Sequence, residues 1–188
     1  CGLILSMAIF LAGAAHALPT AEANGPYTID EGQPLNLDST GSSDGGNPPL
    51  TYDWDLDNNA SYGDVSGSTP SVLWSTLKTY IDDDTHTIGL QVTDGVLATA
   101  TDTATVTINN LAPTAEAGGD QTINEGQNLS LDGSGSSDPG GDTLAYSWDL
   151  NNDGVFDDAT GATPTVNWAD LKTFITDGAN TVALQVTD

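Results

Sequence analysis

The densest run of potential ligands in the chain is WDLNNDGVFDD, residues 148–158. From Asp149 it reads D-x-N-x-D-G, and Asp157 and Asp158 add two carboxylates. A hard cation such as calcium takes about six to eight oxygens, and a loop supplies them from its positions 1, 3, 5, 7 and 9. Here these are Asp149, Asn151, Asp153, the Val155 carbonyl and Asp157, with Gly154 permitting the sharp turn between them. Thr160 stands where a bidentate Glu is usual, so Asp158, or Asp138 and Asp142 from the neighbouring loop, would have to substitute. Ordinary turns favour the same residue types, because Asn and Asp bond their own backbone and Gly accepts positive φ. Charge tilts the balance towards metal: four carboxylates fall within 149–158, and no basic residue is near in sequence.

A second version of the loop contains Asp55, Asp57, Asn59 and Asp64. Ala60 replaces the glycine, and Gly63 stands at the fifth ligand position. Alanine held in a left-handed conformation costs ~1–2 kcal/mol, so this site is expected to be the weaker. The expected cofactor is Ca2+, in a structural role.

These loops must be positioned by strands. Residues 19–94 and 113–188 align without a gap at an offset of 94, and 42 of the 76 pairs are identical, so the chain is a tandem duplication. The expected domains are 19–112 and 113–188. Within a repeat, apolar residues alternate with period two: Leu35 and Leu37; Leu50, Tyr52, Trp54 and Leu56; Ile88, Leu90 and Val92; Ala104, Val106 and Ile108. That pattern marks half-buried strands, and the Gly, Ser, Asn and Asp clusters between them mark an antiparallel sandwich. Trp168, Leu171 and Ile175 are spaced three and four apart, as are Trp74, Leu77 and Ile81, which predicts a helical turn at the end of each core. The fold expected is all-β: two β-sandwiches in tandem. The first repeat continues past Asp94 through GVLATATDTATVTINNLA, whereas the second stops at Asp188 and so lacks its final strand. More repeats downstream are expected; strand donation by a neighbouring subunit is the alternative, and would make a homopolymer through the open edge. The junction NNLAP is short and ends in Pro113, which limits flexibility.

Composition excludes several partners. Twenty-seven Asp and Glu face two Lys and no Arg, for a net charge of −25. Nucleic acid is excluded, since phosphate binding needs clustered cations. An anionic membrane surface would repel the chain. Residues 1–17, CGLILSMAIFLAGAAHA, read as the rear of a secretory signal peptide, with an apolar anchoring helix or a lipid-modified Cys1 as alternatives. The missing starting Met and basic n-region imply that the true beginning lies upstream. Cys1 is the only cysteine, so no disulfide staples the domains.

The strings SLDGSGSSDPGGDTLAYSWDLNNDGVFDD and VALQVTD resemble the polycystic-kidney-disease-type (PKD) domain, with its GSxSxDPDGD-like loop, Y-x-W-D core strand and closing L-x-V-T-D. The first repeat departs from the pattern, reading GSSDGGNPPL where the second reads GSSDPGGDTL. The resemblance implies immunoglobulin-like sandwiches in secreted or cell-surface modular proteins, acting as spacers, adhesion modules or accessory domains of secreted hydrolases. Some such domains bind calcium. The implied partners are other domains of the same polypeptide, and extracellular protein or polysaccharide.

Catalysis is not expected. His86 is matched by Asn180 in the sister repeat, and the carboxylates lie in turns of small sandwiches with no long insertion to form a cleft. Lys78 and Lys172 share one repeat position and read as structural ion-pair partners. Trp54 and Trp148 lie on apolar strand faces and read as core, whereas Trp74 and Trp168 leave packing and sugar stacking both open.

Overall fold

A computed structural model describes residues 17–46 and 49–188. The expected signal or anchor segment, up to His16, lies outside the described residues. The first repeat holds β1 (Tyr27–Asp30), β2 (Leu35–Asn36), β3 (Thr51–Asp55), β4 (Val65–Ser66), β5 (Ser71–Val72), α1 (Trp74–Leu77), β6 (Asp84–Thr93) and β7 (Thr99–Asn109). The second holds β8 (Leu129–Ser130), β9 (Ala145–Asp149), β10 (Ala159–Thr160), β11 (Thr165–Val166), α2 (Trp168–Leu171) and β12 (Ala183–Thr187). The molecule is mostly β, with single-turn helices, as the period-two pattern requires.

In the first repeat one sheet runs β1-β7-β6-β3-β4, and β2 pairs β5. In the second the corresponding sheet is β10-β9-β12, and β11 pairs β8. Register is preserved between copies: Tyr52 faces Val92 on β6, and Tyr146 faces Val186 on β12. This register puts Trp54 and Leu90 in one row, and their repeat counterparts Trp148 and Leu184 in another. A one-residue slip would turn both tryptophans to solvent. Trp54, Leu56, Ile88, Leu90, Val92 and Val106 are all 0% exposed. Each central tryptophan also places its indole N–H: Trp54 Nε1 donates to the Gly67 carbonyl and Trp148 Nε1 to that of Gly161, both at 3.0 Å. These rings are core, not sugar platforms.

The predicted helical turns are present. Leu77 N donates to Leu73 O at 2.9 Å and Ile81 N to Leu77 O at 3.1 Å, and the same bonds recur at Leu171 and Ile175. Leu171 is fully buried in the second core with Leu129, Leu131, Trp148, Leu150 and Val166, and Trp168 and Ile175 pack against that cluster. Trp74 is nearly buried, and its N–H is bonded at 2.8 Å to the Gly140 carbonyl.

By mutual contact the described residues form two compact units, and these cut across the repeats. The second unit comprises 28–35, 73–85 and 107–188. In it, a groove opens onto the core, lined by Ile123, Leu129, Leu131, Trp148, Ile175 and Val182. No helix among the described residues is long and apolar enough to cross a membrane.

Candidate metal-binding loops

Each loop begins where a central strand ends, so its first carboxylate is delivered by the sheet. Asp55 ends β3 and Asp149 ends β9, and both are 1% exposed. Burying a carboxylate so fully is costly unless its oxygens are bonded. Asp149 Oδ1 accepts from Asp153 N at 3.3 Å and Oδ2 from Gly154 N at 2.9 Å. In the sister loop Asp55 Oδ1 accepts from Asn59 N at 3.1 Å and Oδ2 from Ala60 N at 2.7 Å. The chain therefore wraps around this carboxylate in both copies.

The remaining predicted ligands follow the same frame. Asn151 Oδ1 accepts from Asp153 N at 2.9 Å, and Asp153 Oδ1 from Val155 N at 2.9 Å. Asp158 Oδ2 closes the loop, accepting from Leu150 N at 2.7 Å and Asn151 N at 3.2 Å. Val155 and Asp157 are exposed at the loop's rim. In the first repeat Asp57 Oδ1 accepts from Asn59 N at 3.2 Å, Asn59 Oδ1 from Ser61 N at 2.8 Å, and Asp64 Oδ2 from Leu56 N at 2.8 Å. Asp55, Asp57 and Asp64 bring carboxylate oxygens within 4.8 Å of one another. The second loop has Asn151 in place of Asp57, hence one carboxylate fewer at that point. Apart from Asp158 Oδ2, which accepts two, each of these oxygens accepts one bond and keeps a lone pair for a cation.

Gly154 has φ +87°, and Ala60 at the same position has φ +67°. Alanine pays for that conformation and glycine does not. Ala60→Gly is expected to stabilise the first repeat by about 1 kcal/mol, and Gly154→Ala to destabilise the second by about as much. Urea midpoints of the two variants check this; a fall in both would show that the loop's φ is not what limits it.

Lys78 Nζ donates to the Gly140 carbonyl at 3.1 Å. The stand-in ligands Asp138 and Asp142 come together with Glu31 and Asp188. Neither Glu31 nor Asp188 was marked by spacing. Glu31 lies in the IDEG stretch at the end of β1, and its side chain is 0% exposed. Burial pushes its carboxyl above the ordinary range; the Leu111 amide opposes that rise, and the charges of Asp138, Asp83 and Asp142 add to it.

Residues 16–108 and 110–188 each match the PKD domain family. The chain is 33% identical to Chitinase A of Pseudoalteromonas piscicida over 144 residues, which is 70% of this chain and 16% of that protein. It thus spans about a sixth of that relative's length. Among solved structures, the PKD1 domain of Vibrio anguillarum Epp is covered in full by 50% of this chain, at 24% identity and a TM-score of 0.35. A carbohydrate-binding module of the β-sandwich superfamily aligns over 90% of this chain and 84% of its own, at 11% identity and a TM-score of 0.40.

Proposed function

Because the chain belongs to the PKD domain family, we propose that it is a non-catalytic spacer or adhesion module of a secreted or cell-surface multidomain protein, stabilised by calcium in its 149–158 and 55–64 loops. The observation that carries this reading is the buried carboxylate at the head of each loop. Asp55 and Asp149 are held on both oxygens by the backbone of their own loop, and a second carboxylate from Asp64 or Asp158 closes it. Such groups are fixed in place for binding. A domain without disulfides and with −25 net charge gains both cohesion and neutralisation from a cation.

A narrower setting is favoured by the chitinase relative: an accessory region of a secreted hydrolase whose catalytic domain lies elsewhere in the polypeptide. Its partners would then be that catalytic domain and a polysaccharide.

Thermal melts with chelator, with millimolar calcium and with magnesium test the calcium role. One ion at about 100 Kd adds ~2.7 kcal/mol, and each kcal/mol moves a domain of this size by roughly 4–8 °C. The expected result at that saturation is a rise of roughly 10–20 °C with calcium alone, abolished for the second repeat by Asp149→Ala with Asp153→Ala. Identical melts would remove calcium from the reading and leave the loops as turns. Sedimentation with insoluble chitin separates the settings: a plain spacer stays in solution, and an accessory region that meets polysaccharide pellets.

A further inference from the structure

Glu31 follows β1 within the second compact unit, and its side chain is 0% exposed. Its Oε1 accepts from Leu111 N at 2.8 Å, while Oε2 has no hydrogen-bond partner. A buried carboxylate oxygen left without a donor is costly unless something positive meets it. What it faces is the loop 138–142. There Asp138 Oδ1 accepts from Gly141 N at 2.8 Å and Asp142 N at 3.1 Å, and Asp138 Oδ2 is buried and has no partner either. Glu31, Asp138, Asp142 and Asp188 each bring one carboxylate oxygen within 4.8 Å of the others. Asp142 also closes a group with Asp82 and Asp83, which deepens the negative field.

The surroundings are built for this approach. A side chain on Gly140 would collide with Glu31 Oε2 and come within 2.9 Å of Asp142 Oδ2, so only glycine lets the carboxylates converge. The Gly140 carbonyl is tied down by Trp74 Nε1 at 2.8 Å and Lys78 Nζ at 3.1 Å. The first repeat has Pro48 at the position of Asp142, so the arrangement is not a copy of a general turn.

We propose that Glu31, Asp138, Asp142 and Asp188 form a second kind of cation site, separate from the 149–158 and 55–64 loops, that takes a divalent hard cation of the calcium class. Several converging carboxylates suit an ion that accepts many oxygens in loose geometry; magnesium keeps its waters and uses one or two carboxylates. The bound ion satisfies both orphan oxygens and ties residue 31 to the 138–142 loop. The site stands whether or not the 149–158 and 55–64 loops bind metal.

Calorimetric titration of the stripped chain with calcium alone, at neutral pH, tests it. Wild type is expected to bind one more ion than Glu31→Gln, or to bind that ion at least tenfold more tightly. Asp138→Asn with Asp142→Asn removes the same ion, while Asp149→Ala with Asp153→Ala leaves it. Glu31→Gln keeps the shape and removes the buried charge. In chelator its melting temperature therefore equals or exceeds wild type, which shows that it folds; in calcium it falls below. Unchanged stoichiometry and affinity in Glu31→Gln would overturn the site, as would a wild-type chain that binds nothing beyond the ions lost with Asp149 and Asp153 or with Asp55 and Asp57.

Discussion

Trp148→Ala is expected to unfold the second repeat at room temperature, whereas Trp54→Ala is expected to leave the first repeat folded. The two residues are equivalent in sequence, each 0% exposed and each bonded through its indole N–H at 3.0 Å to a loop carbonyl. Truncating a buried tryptophan costs about 3–5 kcal/mol, and the orphaned carbonyl adds to that. Whole domains hold only about 5–15 kcal/mol, so the reserve of each repeat decides the outcome. In the first repeat Ile88, Leu90 and Val92 are fully buried; their counterparts Val182, Leu184 and Val186 are half-buried. The first repeat also buries Ala104, Val106 and Ile108 on β7, for which the second has no counterpart among the described residues. Near-ultraviolet circular dichroism and urea unfolding of the two variants check this. Equal losses in both would show that the open groove carries little energetic weight.

The contrast shows which features were legible in the sequence. Period-two alternation located the strands because one face of each sheet is buried, and a burial pattern of that kind is written residue by residue. The turn at Trp168, Leu171 and Ile175 was legible for the same reason at the helical period. The wrapped carboxylates Asp55 and Asp149 were also within reach, since a loop that folds on itself is local. Glu31 was not. Its burial depends on Gly140 coming against its carboxyl group and on Leu111 reaching its Oε1, both remote in sequence. Asp188 was read only as the end of an L-x-V-T-D strand. Spacing within a loop cannot announce a group assembled from three segments.

Appending a copy of residues 95–112 after Asp188 is expected to raise the melting temperature of the second repeat by roughly 10–20 °C. In the first repeat that segment supplies β7, which lies between β1 and β6 in the sheet order. In the second, β12 is the outer strand of its sheet, and the groove beside it is lined by Ile123, Leu129 and Leu131. A strand there covers this apolar surface, buries its own valine and isoleucine at about 1.5–3 kcal/mol each, and pairs an edge that otherwise presents bare N–H and C=O groups. Ordering the added residues opposes this gain, and the new ladder bonds work against that cost. Residues 121–124, which match β1 by position yet form no strand, should then gain amide-exchange protection. Replacing the appended valine and isoleucine by Asp is expected to erase both effects. The same addition should restore a folded second repeat to Trp148→Ala, because the two changes draw on one core. If calorimetry shows the second transition unmoved by the added strand, the groove is not a vacant strand position, and the weakness of that repeat has another source.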